Sequence, residues 1–309
     1  MRYLKIKWLC GIGSTFLALL GVSALEYDEA FFPAFKQHSA ESLQLRGLAE
    51  LYPNTILFEA PELKVRSLRE EAASIETIPP DITYVRIYRL EEAIDVIQKV
   101  IESPALILDM RYLQSESAGM ELARLLNNGS NTASVTVVGE VPVSITTSKT
   151  KLEKETTPRK HPAIVLCNRQ TAGPFEAMLH SLQSNQSVIA VGEATAGRTG
   201  SYKKTNNEIW MIKGEVRPDA DTSLLATGFI PRIAIDATPE TNYLSYNLYE
   251  AGTPISHLLR GERITNEAVS ENEDRAADGA ETFEPDAVLQ RAVDIVAALQ
   301  ILQQLPDNH

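Results

Sequence analysis

The stretch His161-Pro-Ala-Ile-Val-Leu-Cys-Asn-Arg-Gln-Thr-Ala-Gly-Pro-Phe-Glu176 decides the fold. Residues 163–167 form a continuous apolar run, the pattern of a strand covered on both faces. The run breaks at Asn168-Arg169-Gln170, and over 173–182 the apolar residues take up helical spacing. A second apolar run at 188–191 completes a strand, helix, strand unit, which predicts part of a mostly parallel sheet.

Working outward, the same rhythm repeats. Residues 82–88 read as a strand, 90–101 as a helix, 104–110 as a strand, 118–126 as an amphipathic helix and 134–138 as a third strand. Downstream, 208–213 and 223–226 read as shorter strands. A short helix is expected at 40–51, followed by a strand at 55–58. The prolines Pro79-Pro80 mark a boundary, since neither can donate to a ladder. Residues 266–284 are acidic with little that is large and apolar, so they read as a linker that cannot offset its ordering entropy. Helical spacing resumes at 286–302 and predicts a docked C-terminal helix. The expected segments are 1–24, 25–80, 81–265, 266–284 and 285–309.

The first 24 residues carry Arg2, Lys5 and Lys7 before an apolar run that ends in Val22-Ser23-Ala24, the pattern of a secretory signal. The run falls short of the roughly 20 apolar residues of a comfortable span. Cleavage after Ala24 is expected, giving a periplasmic or extracellular protein that meets the membrane only through this segment if it stays uncleaved. Cys167 is then the single cysteine, so no internal disulfide can form. A net charge of -12 excludes nucleic acid as a partner, because phosphate binding needs clustered Lys and Arg. The five histidines show no metal-ligand spacing, and neither a metal nor a cofactor is expected.

Residues 161–176, continued through Val188-Ile-Ala-Val-Gly-Glu193 to Thr195-Ala-Gly-Arg198, resemble the active segment of the C-terminal processing, or tail-specific, serine peptidases. Asn168, Thr171, Ala172, Glu176, Gln183, Gly192, Glu193, Thr195 and Gly197 fall in register with that family's motifs. Leu106-Ile-Leu-Asp-Met-Arg111 resembles one of its core strands, and Gly228-Phe-Ile-Pro231 a late element. The resemblance covers roughly 81–300 and implies an α/β fold, a ClpP/crotonase-like layered core of mostly parallel strands. A small N-terminal region would precede it and a C-terminal helix follow it. Residues 25–80 are too few for the peptide-binding PDZ module that many members carry.

The resemblance implies a serine nucleophile at 173 and a lysine base at 198, where this chain has Gly173 and Arg198. Glycine has no oxygen to attack a carbonyl, and a guanidinium with a pKa above about 12 cannot serve as the base. The family's glycine-rich turn, which supports an oxyanion-binding amide, is replaced by Tyr112-Leu-Gln-Ser-Glu-Ser117, and the glutamine that orients the lysine by Tyr202. The expected function is therefore non-catalytic binding of a peptide or protein, as scaffold or adaptor, with Gly173, Arg198 and Thr171 at the site. Arg198 beside a helix N-terminus could grip a terminal carboxylate, or it could fill the old lysine slot against a neighbouring carboxylate. Asp109 and Arg111 read as an ion pair at the sheet end, and Glu176 as a cap in the first turn of a helix. The alternative is a working endopeptidase with relocated machinery, in which Thr171, Ser115 or Ser117 would need a base such as Lys203, Lys204 or His180.

Overall fold

The computed structural model describes residues 47, 49–63, 69–126, 133–146, 159, 161–205, 209–261 and 283–304. Two bodies are distinguished, 1–50 and 51–309. In the first, Gly47, Ala49 and Glu50 are described, all helical. The expected export signal and most of the acidic linker lie outside the described residues.

The second body is built on a six-stranded sheet. Strands β3 (Ile82–Ile87), β4 (Leu106–Asp109), β6 (Ala163–Cys167) and β7 (Val188–Gly192) run parallel, with β10 (Ile233–Ala234) parallel at one edge and β2 (Ala73–Ile78) antiparallel at the other. Leu106, Ile107 and Leu108 of β4 and all of β6 are buried on both faces, which explains their unbroken apolar sequence. One face packs α1 (Ile94–Val100), α2 (Met120–Leu126) and a later helix, Phe175–Ser184, around Val85, Leu108, Val165 and Ala190. A short α3 (Val143–Thr146) precedes that helix, which is α4. The opposite face packs α5 (Pro239–Glu250), α6 (Ile255–Arg260) and α7 (Ala287–Gln304) around Tyr84, Ile107, Ile164 and Val191. Helix α7 brings Val288, Leu289, Ala292 and Val296 of its predicted stripe into this core. No helix among the described residues is long and apolar enough to cross a membrane.

A second, antiparallel sheet joins β1 (Ile56–Leu57), β5 (Thr136–Gly139), β8 (Gly200–Lys204) and β9 (Trp210–Arg217). The observed elements correct the sequence reading at several points. Residues 134–138 leave the parallel sheet for β9, whose span extends well past 213. Residues 223–226 form no strand: 223 and 224 are irregular and a turn begins at 225. The boundary expected at Pro79-Pro80 is the turn of a hairpin: β2 and β3 pair across it, from Ala73 opposite Ile87 to Ile78 opposite Ile82.

Candidate functional site

The strands β4, β6 and β7 end side by side, and the loops that follow their carboxyl ends make the site, as is general for parallel sheets. After β6, Asn168 turns the chain. Its Oδ1 accepts from the backbone N–H of Tyr112 and of Gln170, both at 3.1 Å. Thr171 is fully buried, and its hydroxyl donates to the Met110 carbonyl at 2.9 Å while accepting from Asn168 N–H at 3.1 Å. Thr171 therefore braces the ends of β4 and β6 and presents no group to a ligand, which corrects its expected place in a peptide site.

Gly173 and Arg198 meet through one carboxylate. Glu176 Oε1 accepts from the Gly173 N–H at 2.9 Å and from the Arg198 N–H at 2.8 Å. Its Oε2 accepts from the Gly197 N–H at 2.7 Å and from the Thr195 hydroxyl. Burial pushes the Glu176 carboxyl up, and the Thr195 hydroxyl and the three amides oppose that rise. The expected cap is thus a clamp across α4 and the loop after β7. It also means that these amides are engaged internally, so the expected grip of a terminal carboxylate by free amides beside Arg198 is corrected. The Arg198 side chain is half-buried, and among the described residues no carboxylate pairs with it. Glu176→Gln keeps the shape but turns an NH2 toward donors, and is expected to cost roughly 1–3 kcal/mol, read as a lowered thermal midpoint.

Gly173 has φ +137°, and a Cβ there would stand 1.9 Å from the Ser115 carbonyl oxygen and 3.2 Å from Leu63 Cδ1. The segment around Ser115 is fixed in place: Ala172 N–H donates to the Leu113 carbonyl at 2.9 Å and Ser115 N–H to the Ala172 carbonyl at 3.1 Å. The loop 112–117 fills the space above Gly173 with its own backbone. Its hydroxyls are occupied as well, Ser117 by donating to Glu91 and Ser115 by accepting from Ser117 N–H at 3.1 Å. Tyr202 donates to the Asn54 carbonyl at 2.6 Å, and burial pushes its hydroxyl up to about 12. Lys203 and Lys204 lie exposed on β8, and the His180 ring packs edge-on to Phe229 at 6.4 Å. None of the hydroxyls weighed as a displaced nucleophile bonds to any of these bases.

Asp109 and Arg111 are paired as expected, within a larger set. Asp109 Oδ2 accepts from Tyr84 at 2.7 Å, Arg86 at 2.9 Å and Arg111 at 2.6 Å, and Arg111 reaches Asp286 at 2.7 Å. Burial opposes ionisation of Asp109, but the Arg111 and Arg86 guanidiniums outweigh it and hold its carboxyl well below the usual range.

A cleft of about 400 Å³ opens beside these loops, lined by Tyr112, Asn168, Arg169, Glu193 and, from the start of α5, Glu240 and Tyr243 among others. The sequence reading gave Glu193 no role. It accepts from Asn242 Nδ2 at 2.8 Å and pairs with Arg169 Nε at 2.9 Å. The Thr238-Pro239 pair, a capping residue before a first-position proline, was the available signal for α5 and so for this wall.

No family model matches the chain, and no curated protein matches it. Among solved structures it is similar to the photosystem II D1 C-terminal processing protease, at 18% identity over 55% of this chain and 49% of that one, with a TM-score of 0.39. It is similar to mature CPAF at 14% identity over 64% of this chain and 57% of that one, TM-score 0.39. A lipoprotein from Streptococcus agalactiae is similar at 16% identity over 69% of this chain and 84% of that one, TM-score 0.43. The chain spans about half the length of the first two. The structural neighbours include C-terminal processing proteases, the class whose motifs the sequence resembles.

Proposed function

We propose that this is an exported, non-catalytic protein on a tail-specific-peptidase-like core, which binds a peptide or protein segment as a scaffold or adaptor. The observation that carries the reading is the contact at Gly173: where the resemblance places a nucleophilic hydroxyl, there is no side chain, and the Ser115 carbonyl leaves no room for one. The position read as the base holds Arg198, which stays charged. The amides of Gly173, Gly197 and Arg198 are already donating to Glu176 and offer nothing to a developing oxyanion. What remains is concave surface at the carboxyl ends of the strands, where ligands of α/β sheets bind.

The test is incubation of the mature protein with a fluorophosphonate probe and a mixed peptide substrate pool. No covalent labelling and no turnover are expected. Labelling that disappears on a single Ser or Thr substitution overturns the reading.

A further inference from the structure

Glu193 is a carboxylate set into the floor of the cleft, with its side chain 8% exposed, while its partner Arg169 is 69% exposed. Asn242 Nδ2 holds the other oxygen from the start of α5. The buried acid is thus fixed on one side by a buried amide and covered on the other by a guanidinium that reaches in from solvent. An ion pair with one arm so exposed contributes little, and its cation is readily exchanged. The remaining wall suits a second cation. Tyr112 and Tyr243 contribute aromatic rings, and the exposed Glu240 adds a negative charge, so the charged lining sums to one net negative. Asn168 has Oδ1 fixed by two backbone donors, which leaves its Nδ2 on the cleft wall as a donor for a carbonyl. A peptide bearing arginine supplies both complements: a planar guanidinium for Glu193 and the exposed Tyr243 ring, and a backbone carbonyl for Asn168.

We infer that the cleft between Glu193 and the start of α5 is a binding site for an arginine side chain of a peptide or protein, and that Arg169 occupies the same carboxylate when the site is empty. The inference rests on the reading of the protein as a peptide-binding one and names the class of peptide. It makes an unusual demand: removing a positive residue at the mouth tightens binding of a positive ligand, because the internal competitor is gone.

The experiment measures binding of two blocked fluorescent pentapeptides to the full chain, Gly-Gly-Arg-Gly-Gly and the same peptide with citrulline, which keeps the shape and loses the charge. The arginine peptide is expected to bind at least about tenfold tighter, the scale of one charge-assisted hydrogen bond. Arg169→Ala is expected to tighten it by roughly threefold or more, as an exposed pair of this kind allows. Glu193→Gln is expected to abolish the preference. Since Glu193 is buried, its variant is checked by thermal unfolding, and the exposed Glu240→Gln and Tyr243→Ala are each expected to weaken the arginine peptide without lowering the midpoint. Equal affinity for the two peptides, no binding of either, or weaker binding to Arg169→Ala overturns the inference. The probe and turnover assay reads the non-catalytic proposal separately, and charge-blind peptide binding would leave that proposal standing while removing this one.

Discussion

Gly173→Ser combined with Arg198→Lys, the pair that rebuilds the dyad implied by the resemblance, is expected to yield a less stable protein with no hydrolysis. The serine Cβ would meet the Ser115 carbonyl oxygen at 1.9 Å, and the backbone at φ +137° is one that side-chain-bearing residues rarely adopt. Backbone strain of this kind costs about 1–3 kcal/mol and overpacking a similar amount. The carbonyl cannot simply move aside. Displacing it breaks the bonds from Ala172 N–H to Leu113 and from Ser115 N–H to Ala172. A total of roughly 3–5 kcal/mol corresponds to a midpoint lowered by about 10 °C in a chain of this size. Gly173→Ala isolates the steric part, and is expected to show the same loss without any hydroxyl. Even in the fraction that folds, the amides near the serine remain committed to Glu176, so the oxyanion has no donors. Peptide turnover by the double variant at an unchanged midpoint would show that the catalytic framework is intact and that the Ser115 carbonyl does not close position 173 to a side chain.

The degree to which the sequence disclosed this arrangement differs between parts for identifiable reasons. Strands β4, β6 and β7 were legible because burial on both faces demands uninterrupted apolar residues, and the helix between β6 and β7 shows its own period. Strand β5 was placed in the wrong sheet. Its residues alternate between half-buried and exposed, as a one-sided antiparallel strand should, but Val137 and Val138 are both apolar and conceal that alternation. At Pro79-Pro80 the residue type correctly announced that pairing stops. It carried no information on whether the chain leaves the sheet or turns back, and here it turns back.

The site itself was half legible. That 173 lacks an oxygen and 198 a neutralisable amine could be read directly, whereas the obstruction is a backbone carbonyl, which every residue possesses and no side-chain pattern reveals. Glu176 looked like a helix cap because its neighbours in sequence suggested one. Its bonds to Thr195, Gly197 and Arg198 exist only once β7 lies beside β6. The same holds for the pairing of Asn242 with Glu193, and of Asp286 with Arg111, which join segments far apart in the chain.

The Asp109 set allows the other large effect to be worked out. Two guanidiniums, Arg86 and Arg111, and two carboxylates, Asp109 and Asp286, are each less than 5% exposed, and their charges cancel. Asp109→Asn removes one negative charge, and leaves Arg86 buried without its carboxylate, beside the Arg111 carbonyl at 3.4 Å and the Tyr246 and Tyr249 rings at 4.9 and 5.6 Å. An uncompensated buried charge costs about 3–5 kcal/mol, to be read by urea unfolding at neutral pH. The pH dependence has a definite sign. Asp109 is held below its usual range in the folded protein and titrates near 3.9 when unfolded, so the unfolded chain binds the proton first as pH falls. Its contribution is present above about pH 4 and is lost as the pH falls through the folded pKa. The variant should accordingly show a shallower acid slope than the parent between pH 5 and about pH 3, and an equal slope would mean that Asp109 is not what acid releases. Arg86→Met combined with Asp109→Asn then discriminates charge from packing: Arg111 and Asp286 still balance, so the double variant should lose less than the sum of the single ones. Strict additivity would mean that the two side chains stabilise the fold independently, and the set would be a collection of contacts instead of one neutral unit tying the start of α7 to the end of β4.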